Sequence, residues 1–259
     1  MFGALPKKEK ILYIPKLVLG CSGCVIRYGL SHIGAVPAKD KIFAIGFNKT
    51  GTSSLHELFV HFGYHSNHGE YWRKTDSTKF HLLFDAFCDG IPDDFTALDS
   101  AFVGSKFILQ VRDLDTWISS RIDHIQRRPV DRSNTISEDW TAANESISSW
   151  VLKRNEYHLE VMQYFRDRPQ DLLIVNYIRD PMATSKIAKF LGSKTIPSKP
   201  HANKNRKNSG KLKHADIISK CLRELGIPEE EWSSDLLCMS LVNGEQQSTP
   251  VFYDTQDML

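Results

Sequence analysis

A lysine and several hydroxyl side chains occur together in a short loop near the start of the chain. Residues 47–52 read FNKTGT, and two serines follow directly. Lysine supplies a positive charge, while hydroxyls and backbone N–H groups donate hydrogen bonds, so this combination suits a phosphate or sulfate group. The predicted anion-binding residues are Lys49, Thr50, Gly51, Thr52, Ser53 and Ser54.

The residues on either side of this loop predict a strand before it and a helix after it. Residues 42–45 (IFAI) have the length and composition of a buried strand, which Gly46 ends. The apolar residues after the loop recur at helical spacing: Leu55, Leu58, Phe59 and Phe62. The positive end of the helix dipole would then lie at the loop and favour an anion there.

The loop differs from the usual nucleoside-triphosphate loop. That pattern has Gly-Lys-Ser/Thr at its end, whereas here Thr52 follows Gly51 and Lys49 precedes it. A nucleotide kinase or other phosphotransferase would need the missing motif and a carboxylate for magnesium, so it is a less favoured alternative.

A second pair of anion-binding residues follows another predicted strand. Residues 106–111 (KFILQV) are typical of a buried strand, Arg112 follows it, and residues 115–126 have helical periodicity. Ser120 comes eight residues after Arg112. A guanidinium and a hydroxyl at these positions would bind a second phosphate.

Two residues are candidates for a general base. His68 lies in residues 64–70, which have room for one strand whose end would lie beside the loop in a parallel sheet. Its ordinary pKa is near neutrality, although a plain surface histidine is the alternative. Residues 80–87 have helical spacing and predict a helix that ends in a turn at 88–92. Asp89 in that turn would either cap the next element or hold or replace His68.

The remaining elements are predicted from the same signals. Residues 138–168 predict one or two helices, 171–176 a strand, and 211–225 a further helix. Tyr177 ends the strand, and a helix follows it to residues 190–191. Residues 228–259 predict a short helix and a loose tail.

Composition and charge are ordinary for a globular chain of 259 residues with a net charge of +2. Residues 193–215, however, contain seven Lys/Arg and no acid, which suits a polyanionic ligand. Of five cysteines, Cys21 and Cys24 form a lone CxxC without a second pair at zinc spacing, so no metal is predicted.

Residues 1–40 predict an N-terminal extension to one α/β domain over residues 41–259. Residues 11–30 are apolar but interrupted by Pro15, Lys16 and Arg27, which argues against a transmembrane helix. The extension would pack on the domain or contact a membrane surface weakly. A glycosylation sequon at residues 48–50 lies inside the anion loop, which favours a cytoplasmic location.

Together, these motifs resemble the sulfotransferases that use 3′-phosphoadenosine-5′-phosphosulfate (PAPS). The likeness lies in KTGTSS, in the strand followed by an arginine and a serine eight residues later, and in the segment that ends in Phe-Leu-Gly. GFNKTGTSSLH, SKFILQVRD and YFRDRPQDLLI are closest to bacterial-type small sulfotransferases. The resemblance covers residues 41–210. It implies a three-layer α/β fold of the P-loop type, with a parallel sheet and helices on both faces.

The resemblance also implies roles for individual residues. Lys49 and its loop would hold the 5′-phosphosulfate, Arg112 and Ser120 the 3′-phosphate, and Tyr177 would lie near the adenine. The acid expected after that tyrosine is replaced by Ile178. One or two residues of a basic loop would also touch the donor, from among Asn203, Lys204 and Arg206.

The predicted activity is sulfuryl transfer to a hydroxyl or amine of a small-molecule acceptor, with adenosine 3′,5′-bisphosphate (PAP) as the product. Lys49, with His68 or Asp89 as the base, would be catalytic. Lysine would supply the charge that magnesium supplies elsewhere, and no nucleic-acid partner is predicted. A non-catalytic protein that binds adenosine bisphosphate remains a second alternative.

Overall fold

A single parallel sheet organises the part of the chain that the computed structural model describes, which is residues 40–74, 76–127, 141–200 and 212–242. Its strands are β1 (Ile42–Ala44), β2 (Ser66–His68), β3 (Ala86–Cys88), β4 (Lys106–Gln110) and β5 (Leu172–Val175). They pair in the order β2-β3-β1-β4-β5, and every pairing is parallel. The strand before the anion loop is therefore the central one.

Helices connect the strands and follow the last of them. They are α1 (Thr52–His61), α2 (Thr78–His81), α3 (Phe95–Ala101), α4 (Leu114–Arg127), α5 (Thr141–Tyr164), α6 (Ala183–Phe190) and α7 (Ala215–Glu224). Single 3₁₀ turns occur at Tyr71–Arg73, Pro169–Asp171, Glu229–Glu231 and Met239–Leu241.

Neighbouring residues of a strand point to opposite faces of the sheet. Both faces here carry apolar side chains, and helices cover each of them. Phe43 packs into one core cluster, which includes Trp117 of α4 and Val161 of α5. Its neighbours Ile42 and Ala44 belong to a second cluster, with residues of α1 and α6. The predicted α/β class with a parallel sheet is confirmed.

The predicted helix over residues 80–87 is wrong. Only Thr78–His81 is helical there, and Ala86–Cys88 forms β3 between β1 and β2. Phe80, Phe84 and Phe87 do recur at helical spacing, but Phe87 is fully buried in the sheet, where it stacks on Phe43. Pairing with two neighbouring strands outweighs a local pattern of aromatic residues.

The other predicted strands and helices agree with the structure to within a few residues, and residues 141–164 form one long helix rather than two. The predicted short helix after residue 228 is a pair of isolated 3₁₀ turns. The predicted N-terminal extension and the tail beyond residue 242 lie outside the described residues. No helix in the described ranges is long and apolar enough to cross a membrane.

The end of β1 approaches β4 closely at Gly46. Its N–H donates to Gln110 Oε1 over 3.0 Å, and the Gln110 amide donates back to the Gly46 carbonyl over 3.3 Å. A Cβ at Gly46 would lie 2.1 Å from the backbone oxygen of Gln110. Only glycine therefore allows the two strands to meet just before the anion loop.

We expect Gly46→Ala to lower the free energy of unfolding by about 3 kcal/mol or more, since the clash is with backbone. Urea unfolding at equilibrium measures it. Gly69→Ala is the matched control, because a Cβ there meets only one atom, at 3.8 Å. Equal stability of the two variants would contradict the close approach.

Candidate functional site

The anion loop follows the central strand and is sharply bent. Lys49 has φ 75° and Gly51 has φ 98°, both in the left-handed region. Thr50 is buried, and its hydroxyl donates to the Phe47 carbonyl over 2.6 Å. The Thr50 side chain thus braces the loop from inside, while Thr52 begins α1. A helix N-terminus of this kind favours anions.

Neighbouring elements hold this loop from outside. Arg112, at the end of β4, donates from Nη1 to the Lys49 carbonyl over 2.8 Å. Trp117 of α4 donates from Nε1 to the Asn48 carbonyl over 3.0 Å. Because β4 lies next to β1, the two anion-binding features predicted from the sequence meet at the edge of the sheet formed by the carboxyl ends of its strands.

A hydroxyl that the sequence analysis missed lies between the two residues of the second feature. Thr116 accepts a hydrogen bond from Arg112 Nε over 3.1 Å. Thr116 and Ser120 are four residues apart on α4 and so share one helix face. The spacing of four from Arg112 to Thr116 and on to Ser120 was the signal available in the sequence.

The Arg112 guanidinium keeps donors for a ligand. It is half-buried, and this burial lowers its pKa from the ordinary value. Arginine nevertheless stays protonated in proteins and has five N–H donors. Within the described ranges, Arg112 uses one N–H on Lys49 and one on Thr116, which leaves the rest of the fork for an anion.

His68 lies against the hydroxyls at the start of α1, although β3 separates β2 from β1. Its Nε2 is 3.2 Å from Thr52 Oγ1 and 3.4 Å from Ser53 Oγ. The same atom is 3.8 Å from Asp89 Oδ1. The two candidate bases therefore lie together at the anion loop.

Asp89 follows β3 rather than a helix and does not cap the next element. Helix α3 is capped by Asp94, whose side chain accepts the N–H groups of Thr96 and Ala97. The alternative in which Asp89 was a cap is therefore wrong. A Cβ at Gly90 would lie 2.2 Å from Asn48 Oδ1, so the turn after Asp89 packs directly on the anion loop.

Backbone strain is concentrated at this edge. Among the described residues other than glycine, three have positive φ: Lys49, Asp89 (104°) and His214. Such conformations cost about 1–3 kcal/mol each and cluster at functional sites. Two of the three are the candidate cation and a candidate base, which supports a functional role for both positions.

His56 is a second histidine that the sequence analysis did not select. It lies one turn after Thr52 on α1, with its ring centroid 5.8 Å from that of His68. Its Nδ1 is 2.8 Å from Ser66 Oγ. Burial and the neighbouring His68 lower the pKa of His56, so it is neutral near pH 7. Its spacing of four from Thr52 was the available signal.

Tyr177 forms a wall of the loop at the end of β5. It is only 2% exposed, and a Cβ at Gly51 would lie 3.3 Å from its Cδ1. Lys199 Nζ lies 5.1 Å from the ring centroid, and burial raises the pKa of Tyr177 to about 12. The exposed apolar side chain beside Gly51 is Ile178.

The other predicted site residues have less to report. Ser54 is half-buried in the first turn of α1. Asn203, Lys204 and Arg206 lie outside the described residues, as do Cys21 and Cys24. In the described ranges, no group of three or more His, Cys, Asp or Glu side chains is arranged to hold a metal ion.

The site thus combines a strained cationic loop, an adjacent arginine with two hydroxyls, and a histidine–aspartate pair at one sheet edge. Such an arrangement can bind two anionic groups, and its histidine–aspartate pair can accept a proton from a molecule bound beside them. No model of a known protein family matches the chain, and no curated protein matches it either.

Proposed function

We propose that this protein is a sulfotransferase that moves a sulfuryl group from PAPS to a hydroxyl or amine of a small-molecule acceptor. The observation that carries the proposal is the 2.8 Å hydrogen bond from Arg112 Nη1 to the Lys49 carbonyl. A nucleotide with phosphates on both its 5′ and 3′ positions needs two cationic sites within one nucleoside of each other. The Arg112 guanidinium lies against the Lys49 backbone, which supports such a pair of sites, and the loop between β1 and α1 would have the role of a P-loop.

Each group at the sheet edge has a defined task in this proposal. Transfer forms a bond from the acceptor oxygen or nitrogen to sulfur and breaks the bond between sulfur and the phosphate oxygen. PAP leaves with the added negative charge, and Lys49 with the N-terminus of α1 stabilises it. Thr52 and Ser53 orient the transferred group, and Arg112, Thr116 and Ser120 bind the 3′-phosphate. Positioning and charge neutralisation supply most of the catalysis, as in phosphoryl transfer.

The acceptor's proton goes to His68 or Asp89. We expect His68→Ala to lower kcat about 100-fold while PAP affinity stays unchanged, because general-base catalysis typically contributes that much or more. Steady-state kinetics and calorimetric PAP titration measure the two effects. His61→Ala is the control, since within the described ranges this exposed histidine bonds to its own helix at the Glu57 carbonyl.

The same assay with Asp89→Asn separates the two candidate bases. Full activity of His68→Ala together with an inactive Asp89→Asn would assign the base to Asp89. Full activity of both variants would contradict a base at this position altogether.

The proposal as a whole is tested by ligand binding and by a transfer screen. PAP should raise the melting temperature, and ATP with magnesium should not. Labelled PAPS incubated with a metabolite extract should then yield a product heavier by one sulfuryl group in mass spectrometry. Stabilisation by ATP with magnesium alone would favour a phosphotransferase, and PAP binding without any product would favour a non-catalytic binding protein.

A further inference from the structure

A segment close to the end of the described chain caps the helix that follows Arg112. We call residues 232–238 the C-terminal strap. Leu114 N donates to the Ser234 carbonyl and Asp115 N to the Trp232 carbonyl, each over 3.0 Å. The first N–H groups of a helix have no partners within that helix. The strap supplies partners for the first two N–H groups of α4, those of Leu114 and Asp115, which follow Arg112 closely in the chain.

A buried arginine joins the strap to the backbone of Arg112. Arg154 of α5 is 2% exposed. Its Nη2 donates to the carbonyls of Arg112 and Ser234 over 3.2 Å each, and also to the Asp235 carbonyl. Burial lowers the pKa of Arg154 to about 10, so it remains charged at neutral pH. One guanidinium thus fixes the Arg112 carbonyl and the strap to each other.

The side chain of the strap's aspartate reaches the end of β5. Asp235 Oδ2 accepts from Asn176 Nδ2 over 3.1 Å and pairs with Arg179 Nη2 at 2.7 Å. Asn176 also donates to Asp113 Oδ1 over 2.9 Å, next to Arg112 in the chain. The strap therefore ties the ends of β4 and β5 together on the side where the nucleotide would lie.

Two further residues of α5 anchor the strap at its other end. His158 donates from Nδ1 to the Leu236 carbonyl over 2.7 Å, and the Cys238 N–H donates to Asn155 Oδ1 over 2.7 Å. Burial lowers the pKa of His158 to about 3, so the ring is neutral at neutral pH. Side chains of α5 thus hold the strap at residues 234, 235, 236 and 238.

These contacts decide what can bind the 3′-phosphate. Since the strap occupies the first N–H groups of α4, the helix backbone is not free for the ligand there. The 3′-phosphate would then be bound by the side chains of Arg112, Thr116 and Ser120. Their selectivity depends on where the Arg112 backbone is held, and outer contacts of this kind set the orientation of the groups that touch a ligand.

We propose that the C-terminal strap and Arg154 position Arg112, and so set the preference for nucleotides that carry a ribose 3′-phosphate over those that lack it. This inference rests on the proposed function. Arg154 and Asp235 act as positioning residues through Arg112, without touching the nucleotide themselves.

The test is the ratio of PAP affinity to AMP affinity, measured by calorimetry on the full chain well below its melting temperature. Asp235→Ala should lower this ratio about tenfold, because PAP affinity falls more than AMP affinity. Asp235→Asn, which can still accept from Asn176, should restore most of it. Glu231→Ala is the matched control, because that carboxylate accepts from Ser240 outside the strap, and it should leave the ratio unchanged.

A second variant shows whether a lowered ratio reflects the position of Arg112 rather than a loss of folding. Arg154→Lys keeps the buried charge but cannot reach several carbonyls at once, and it should lower the ratio in the same direction. In an Arg112→Ala background, Asp235→Ala should cause no further loss. A wild-type ratio in both Asp235→Ala and Arg154→Lys would overturn the inference. Absence of any PAP preference in the wild-type protein would instead overturn the proposed function.

Discussion

Lys49→Ala should abolish sulfuryl transfer, with kcat lowered at least about 1000-fold. Lys49 lies in the bend between the central strand and α1, where charge would develop on the leaving phosphate. One preorganised donor at such a position is typically worth a factor of about 100–1000, and lysine adds a full positive charge. Transfer from labelled PAPS at saturating donor, followed by product mass spectrometry, measures the loss.

The control for this prediction keeps the backbone and the side-chain stem. Lys49→Met retains most of the stem, and alanine and methionine both tolerate the left-handed region as poorly as lysine does. A loss in both variants therefore reports the charge rather than the bend. Lys74→Ala removes an exposed lysine that pairs with Asp93 and should leave transfer unchanged. Substantial transfer by Lys49→Met would show that the lysine charge is not needed.

Arg112→Ala should erase the preference for PAP over AMP. Charge-assisted hydrogen bonds to a phosphate are worth about 1.5–3 kcal/mol each, so we expect the affinity ratio to fall about 100-fold. AMP affinity should also fall, because Arg112 holds the Lys49 carbonyl. It should fall less than PAP affinity, because AMP has no 3′-phosphate. Calorimetric titration with the two nucleotides gives the ratio directly.

Two comparisons sharpen the Arg112 result. Arg112→Lys keeps the charge but loses the planar fork, so its ratio should lie between those of alanine and wild type. Lys220→Ala, which removes an exposed lysine paired with Glu224, should match wild type. An unchanged PAP preference in Arg112→Ala would mean that the 3′-phosphate, if it is bound at all, is bound elsewhere.

The core of the candidate site could be predicted because its signals are local. An apolar run, a small-residue loop and a helical pattern occur in order around Lys49, and KFILQV leads directly to Arg112. Parallel strands with buried faces are continuous apolar runs, so β1 and β4 were recognisable. Their adjacency in the sheet then brought Lys49 and Arg112 together.

The third strand could not be predicted from the same signals. Ala86–Cys88 is only three residues long, and the aromatic residues before it recur at helical spacing. Periodicity alone does not separate a short strand from a helix segment. Asp89 was consequently assigned to the end of a helix, although its place near His68 was among the alternatives considered.

The outer contacts of the site were also beyond sequence reasoning. Arg154 donates to the Arg112 carbonyl, 42 positions earlier in the chain, and to the carbonyls of Ser234 and Asp235, 80 and 81 positions later. Every residue has a backbone carbonyl, so such partners leave no signal in the residue types. Residues 228–259 are acidic and then polar, so they were predicted to form a short helix and a loose tail. The importance of the strap follows only from the three-dimensional position of its backbone.

The order of the strands implies that heat should impair this protein in two stages. Lys49 follows the central strand, whereas His68 ends β2, a three-residue strand that, among the described residues, lies at the margin of the sheet beside β3. Fraying of a sheet starts at its margins and reaches the middle last. On warming, turnover should therefore disappear at a lower temperature than nucleotide binding, leaving an interval in which the protein still captures its donor but no longer uses it.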